Sequence, residues 1–210
     1  MIMSKKILIV APHADDEALG VGGSVFKHLQ NDNEVHLIIC GVRSNDVVEQ
    51  INNATKHYTS VRHLVYQDEL YYSVFDMLLR SVECFYNLVQ PDVVYIPNCD
   101  DFNRDHRCVH EICEIVCRRF QTNPPEQILM YETPSSTTQS FNNNFKCNYY
   151  EKLDFEHVDA KIKTMKKYVN EMRKYPNPRS VKGLLTYAQF RGMECGEEYA
   201  EGFQLVYKKS

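Results

Sequence analysis

The run Lys6-Ile7-Leu8-Ile9-Val10-Ala11-Pro12 leads directly into His13-Ala14-Asp15-Asp16-Glu17, and this junction governs how the rest of the chain reads. Lys6 to Pro12 is aliphatic, β-branched and closed by a proline, which predicts a buried strand. Glu17 to Leu29 predicts a helix. Its Gly20, Gly22 and Gly23 lower helix propensity but permit close packing near the helix start.

Beyond this junction, strands are expected over 34–40, 61–66, 92–96 and 128–131. Helices are expected between them over 46–57, 70–88 and 105–120, the last stopped before Pro124 and Pro125. Short apolar strands alternating with helices describe a mostly parallel sheet covered on both faces, an α/β fold of the Rossmann-like three-layer type. Such sheets place ligands beyond the carboxyl ends of their strands. The pattern changes after Glu132. Residues 133–148 are rich in Ser, Thr and Asn and read as a loop or an active-site flap. Residues 155–172 read as a basic amphipathic helix, 178–190 as a helix with Pro178 in its first turn, and 202–207 as a closing strand. With no internal repeat and no clean boundary, 1–210 reads as a single domain in which 133–210 forms a loop and cap.

Composition excludes several classes. Of 210 residues, 43% are hydrophobic and 25% charged, ordinary values for a globular chain. The 24 basic against 28 acidic residues give a formal charge of -4, and no Lys/Arg block stands out, which argues against nucleic-acid binding. No apolar run approaches 18 residues, so stable membrane insertion is not expected. Eight cysteines allow a disulfide framework or a soft metal site. The apolar run near the start is too short for a secretory leader, and no Cys-x-x-Cys occurs. Reduced, packed cysteines in a cytoplasmic protein are the expectation.

Two polar clusters follow predicted strands. The first is His13 to Glu17, where one acid capping the next helix would not account for a histidine beside three acids. The second is Asp100-Asp101-Phe102-Asn103-Arg104-Asp105-His106, after the fourth strand. If the two exits converge, His13, Asp16 and His106 supply two imidazoles and a carboxylate, a ligand set suited to zinc or ferrous iron, with Asp15 placed to act as general base. His110, one turn beyond His106, leaves a helical His106/His110 pair open as an alternative. The glycines at 20, 22 and 23 do not form a dinucleotide fingerprint. No phosphate-binding Gly-Lys-Ser/Thr loop and no Gly-x-Ser-x-Gly elbow is present.

Ala11-Pro12-His13-Ala14-Asp15-Asp16-Glu17, Asp101-Phe102-Asn103-Arg104-Asp105-His106 and the tail Arg191-Gly192 with Glu198-Tyr199-Ala200-Glu201-Gly202-Phe203 together resemble the zinc-dependent deacetylases of the LmbE-like, or PIG-L, family. The resemblance covers most of the chain. It implies His13, Asp16 and His106 as zinc ligands and Asp15 as general base. Asp105 then matches the acid preceding the last ligand. Ala14 replaces the family's usual proline. Asn103 stands where many members carry a histidine credited with steadying the oxyanion; an amide donates a hydrogen bond there but carries no charge. The resemblance also suggests Arg43, Asp68 and Arg191 as substrate-binding residues. For Arg191 the bland alternative is a salt bridge to Glu194 or Glu198, and Glu201 can equally hold the closing strand against the cap.

The function expected is Zn2+-dependent removal of the N-acetyl group from an N-acetylglucosamine-type amino sugar or conjugate, with Fe2+ as a second metal for the same ligands. A metal-dependent amidase acting on another small conjugate, and a non-catalytic sugar-binding relative, are the alternatives. The expected partner is a small-molecule amino sugar. The Tyr-rich stretch Leu70 to Phe75 fits core, substrate wall or a homo-oligomer contact alike.

Overall fold

The computed structural model describes residues 4–42, 44–65, 71–142 and 144–209. The opening junction forms as β1 (Lys6–His13) followed by α1 (Asp16–Gln30). The chain continues through β2 (Glu34–Val42), α2 (Asn45–Ala54), β3 (Ser60–Val65), a short 3-10 turn at Tyr71–Val74, α3 (Phe75–Val89), β4 (Val93–Pro97), α4 (Arg104–Val116) and β5 (Gln127–Tyr131). After a 3-10 turn at Thr137–Gln139 come β6 (Tyr149–Leu153), α5 (Phe155–Met165), α6 (Val181–Cys195) and β7 (Tyr199–Lys208).

The seven strands form one sheet in the order β3-β2-β1-β4-β5-β7-β6. The first five are parallel, whereas β7 pairs antiparallel with both β5 and β6. The fold is therefore α/β and Rossmann-like, with a mixed, mostly parallel central sheet. Strand order reverses between β1 and β4, and this switch point opens a crevice at the strand ends.

Alternation along β1 divides the core. Ile7, Ile9 and Ala11 face one buried cluster, with Ala18 and Leu19 of α1, Val158 and Ile162 of α5 and Leu184 of α6. Leu8 and Val10 face a second, with Leu78 and Val82 of α3 and Val109 and Ile112 of α4. Layers on both faces are what a near-continuous apolar strand requires. The glycines of α1 serve close packing as expected: a Cβ on Gly20 would lie 2.3 Å from the Tyr131 ring.

Several boundaries differ from the sequence expectation: α2 and α4 end early, at Ala54 and Val116, α6 runs on to Cys195, β7 already starts at Tyr199, and three further differences have a visible cause. β6 lies where a loop runs into a helix in the sequence reading; in Tyr149-Tyr150-Glu151-Lys152-Leu153 only Leu153 is fully buried, and there is no apolar run to announce an edge strand. α5 ends at Met165 instead of 172, and turns follow. α6 starts at Val181, because the Ser180 hydroxyl accepts from Gly183 N and caps it, leaving Pro178 outside the helix. All eight cysteines are free thiols, and Cys40, Cys108, Cys113 and Cys117 are buried. Among the described residues, no helix is long and apolar enough to cross a membrane.

Candidate metal centre

β1 delivers His13 at its carboxyl end, and the tight turn into α1 delivers Asp15 and Asp16. Asp15 has φ 108°, a left-handed conformation uncommon outside glycine that stores roughly 1–3 kcal/mol of strain. Its side chain makes no capping bond to α1, so helix capping does not explain it. From the neighbouring strand β4, the segment Asn98 to Asn103 leads into α4. There Asn103 Oδ1 accepts from Asp105 N at 2.9 Å as the helix cap, and the first turn carries Asp105 and His106.

The two exits converge. His13 Nδ1 lies 3.3 Å and His106 Nε2 3.1 Å from Asp16 Oδ2. Among the described residues, His13, Asp16 and His106 form a group able to hold a metal, with their ligand atoms all within 4.8 Å of one another. Ligands around a tetrahedral cation with bonds of ~2.0–2.1 Å lie about 3.3 Å apart, so the spacing fits a single divalent ion. The outer nitrogens fit as well. His13 Nε2 donates to Asp105 Oδ2 at 3.0 Å. His106 Nδ1, buried and without an aligned hydrogen bond, faces Asp101 Oδ2 at 3.4 Å. A carboxylate behind each imidazole fixes its tautomer and ring orientation. His110 does not join the group: its ring is bonded to Pro97 O at 2.8 Å, and its other nitrogen lies 3.5 Å from Glu114.

Charge is concentrated here. Burial pushes the Asp15 carboxyl well above its usual range and Asp16 adds to this, while Arg179 opposes it. Burial acts on Asp16 in the same direction but is outweighed by His106 and His13, which hold it well below the usual range. Burial lowers His106, yet Asp16 and Asp101 carry it to about 10. Burial raises Glu17 to about 7, against the pull of the Tyr168 hydroxyl, which donates to it at 2.6 Å. A cluster of buried acids around two imidazoles is the environment a cation balances.

A cavity of about 230 Å3 opens onto this group, and Asp15, Asn103, Ser136, Glu171 and Arg179 are among the residues lining it. Several residues that shape it have no role in the sequence reading, although Asp101 stands in its second polar cluster. Asp101 accepts from Asn103 N at 2.8 Å, Ser136 Oγ at 3.0 Å and Thr137 Oγ1 at 2.6 Å, which locks it behind His106. Its place two residues before a helix cap is the available signal. Arg179 and Glu171 come from the turns between α5 and α6, and their sequence neighbourhood carries no corresponding cue.

Arg191 and Glu201 line a different cavity. Arg191 donates from Nε to Glu132 at 2.6 Å and from Nη1 to Glu194 at 2.6 Å, and it lines a separate cavity of about 20 Å3. Glu201 holds β7 against α1 and α5: it accepts from Gly23 N at 2.9 Å and from Ser24 N at 2.7 Å, and it pairs with Lys161 at 2.6 Å. Arg43 and Asp68 lie outside the described residues.

The switch-point crevice, the His13/Asp16/His106 group able to hold a metal and the buried acid beside it make up the arrangement of a metal-dependent amide hydrolase. Over residues 8–117 the sequence matches the PIG-L family, described as GlcNAc-PI de-N-acetylase, and the chain belongs to that family. No curated protein matches the sequence. Solved structures share the fold. The N,N'-diacetylchitobiose deacetylase from Pyrococcus horikoshii is 18% identical with a TM-score of 0.78, covering 97% of this chain and 84% of its own. The conserved protein TT1542 from Thermus thermophilus is 18% identical with a TM-score of 0.79, covering 98% and 96%. GalB, the 4-carboxy-2-hydroxymuconate hydratase from Pseudomonas putida, is 18% identical with a TM-score of 0.72, covering 98% of each chain.

Proposed function

We propose that the protein is a zinc-dependent N-deacetylase acting on an N-acetylglucosamine-type amino sugar or a small conjugate of one. The observation that carries the reading is the His13/Asp16/His106 group with the buried Asp15 carboxylate beside it in one cavity. The family match and the chitobiose deacetylase among its structural neighbours support an amide on an amino sugar. The cavity is smaller than the ~300–1,000 Å3 of sites for drug-sized ligands, which suits an acetamido group and its ring.

His13, Asp16 and His106 would hold the ion, zinc by preference and ferrous iron at the same ligands. A divalent cation there supplies Lewis acidity, lowering the pKa of a water and polarising an acyl oxygen. Asp15 would take the proton of a water as it attacks the acyl carbon. It returns the proton to the sugar nitrogen as the carbon–nitrogen bond breaks, giving acetate and a free amine. The Asn103 amide is assigned to the developing oxyanion, and Asp105 orients His13. Arg43, Asp68 and Arg191 are assigned to the substrate side. We read the chain as one domain in which residues 133–210 form the loop and cap.

The test is acetate release from N-acetylglucosamine and N,N'-diacetylchitobiose with one equivalent of zinc or of ferrous iron. Wild-type protein is expected to release acetate and Asp15→Asn to lose at least about 100-fold in kcat, the lower end of what general acid–base catalysis contributes. Full activity in Asp15→Asn would sink the assignment of the base. Turnover confined to non-amide substrates, such as hydration of an unsaturated acid, would sink the reaction class.

A further inference from the structure

Arg179 reaches the metal cavity from the segment just ahead of α6, far in sequence from all three metal ligands. Its Nη1 lies 3.3 Å from Asp15 Oδ2. Its Nε donates to Ser135 Oγ at 2.8 Å, and its Nη1 also donates to Glu171. Ser135 follows β5, and Glu171 lies in the turns after α5. The guanidinium therefore ties three segments of the cap region to the β1 exit.

Asp15 needs such a partner. Its side chain is only 4% exposed, and Oδ2 has no aligned hydrogen bond. Asp16 and Glu17 are adjacent acids that repel its charge. Its backbone is in the left-handed region, and it does not cap α1, so the helix does not fix the carboxylate. A buried carboxylate without a counter-charge is costly, and a planar guanidinium held at two other points offers a fixed fork for it.

We propose that Arg179 is a positioning residue for Asp15. Clasped by Glu171 and Ser135, it holds the carboxylate in the orientation from which a proton can be taken at the triad. The cap thereby completes a site whose metal ligands all come from the parallel half of the sheet. The inference rests on the reading of Asp15 as the base.

The experiment compares wild type, Arg179→Ala, Arg179→Met and Asp15→Asn in the zinc-loaded acetate-release assay, each checked for metal content. A misplacement of about 1 Å can cost on the order of 100-fold, so Arg179→Ala is expected to lose roughly 10–100-fold in kcat. KM should stay within about twofold, and one metal per chain should be retained. Methylguanidinium added to Arg179→Ala should restore several-fold of the lost kcat. It should also raise the melting temperature of the metal-free Arg179→Ala protein but not of metal-free wild type, a readout that needs neither metal nor substrate. Arg179→Met keeps the aliphatic packing and should show the same kcat loss even if the alanine variant folds poorly. Wild-type kcat in either arginine variant, with Asp15→Asn inactive, would overturn the proposal while leaving the function intact. So would a kcat loss in Arg179→Ala with neither rescue nor thermal shift. Full activity in Asp15→Asn would remove the base assignment and this inference together.

Discussion

For single residues, the site is organised by what stands behind the imidazoles. Asp16 Oδ2 gathers His13 and His106, but Asp105 and Asp101 decide how those rings are turned, because each carboxylate faces the nitrogen pointing away from Asp16. Removing such an outer carboxylate typically costs 10–100-fold in metal affinity. Asp105→Asn is therefore expected to weaken zinc binding by roughly that factor with the fold intact, measured by competition against a chromophoric chelator. Unchanged affinity would show that Asp105 serves α4 rather than His13. The sequence exposes His13, Asp16 and His106 because their residue types are unusual at strand exits. Asp101 is harder to see, since its partners Ser136 and Thr137 come from a distant loop.

Among the elements, α1 shows why a glycine-rich helix survives at the sheet's switch point. Gly20 admits the Tyr131 ring, whose hydroxyl donates to Val10 O at 3.0 Å. Close by, Lys161 Nζ donates to Leu19 O at 2.8 Å while Glu201 accepts from Gly23 N. The two groups that would make a regular helical bond thus each have a side-chain partner from α5 or β7. The Lys161–Glu201 pair is nearly dry, with side chains 7% and 5% exposed. Breaking a buried pair leaves an uncompensated charge and costs about 3–5 kcal/mol, whereas replacing both members by apolar groups costs far less. Glu201→Gln should lose roughly that much in urea unfolding, and the Glu201→Gln/Lys161→Met double variant should recover part of it. A double variant less stable than the single one would contradict this account. The sequence reading has Glu201 holding the closing strand against the segments that follow β5, and its pair with Lys161 of α5 agrees; its bonds to Gly23 and Ser24 of α1 come from packing alone.

For the molecule as a whole, stability on the acid side should depend on a histidine outside the His13/Asp16/His106 group. His28, on α1, is half-buried with Nε2 bonded to Tyr95 OH at 2.9 Å on β4. Burial lowers its pKa from 6.5 to about 4. Between those values the unfolded chain binds a proton that the folded chain does not. The stabilising contribution is therefore complete above about pH 6.5, is lost as pH falls through that window, and changes no further below about 4. Urea midpoints of wild type should fall across the window by more than those of His28→Gln, with a difference on the order of 1–3 kcal/mol. Parallel pH profiles for the two proteins would refute it.

The α/β architecture and the alternation of strand and helix along the chain are written in local pattern. Apolar runs such as Ile7–Ala11 and Val93–Ile96 have no stable place except inside a sheet covered on both faces. The chemistry at the two strand exits is equally local, because imidazoles and carboxylates buried there cost stability unless something compensates them. The rest follows from long-range packing alone. In β6 only Leu153 is fully buried, and the strand is defined by its pairing with β7, not by its own pattern. α5 stops at Met165, and the turns after it carry Tyr168 to Glu17 and Glu171 to Arg179. Arg179 meets Asp15 from nearly the opposite end of the chain, and no local propensity encodes a contact of that kind. Local pattern sets which residues are buried and which elements form; the partner of a buried charge is chosen only when distant segments pack together.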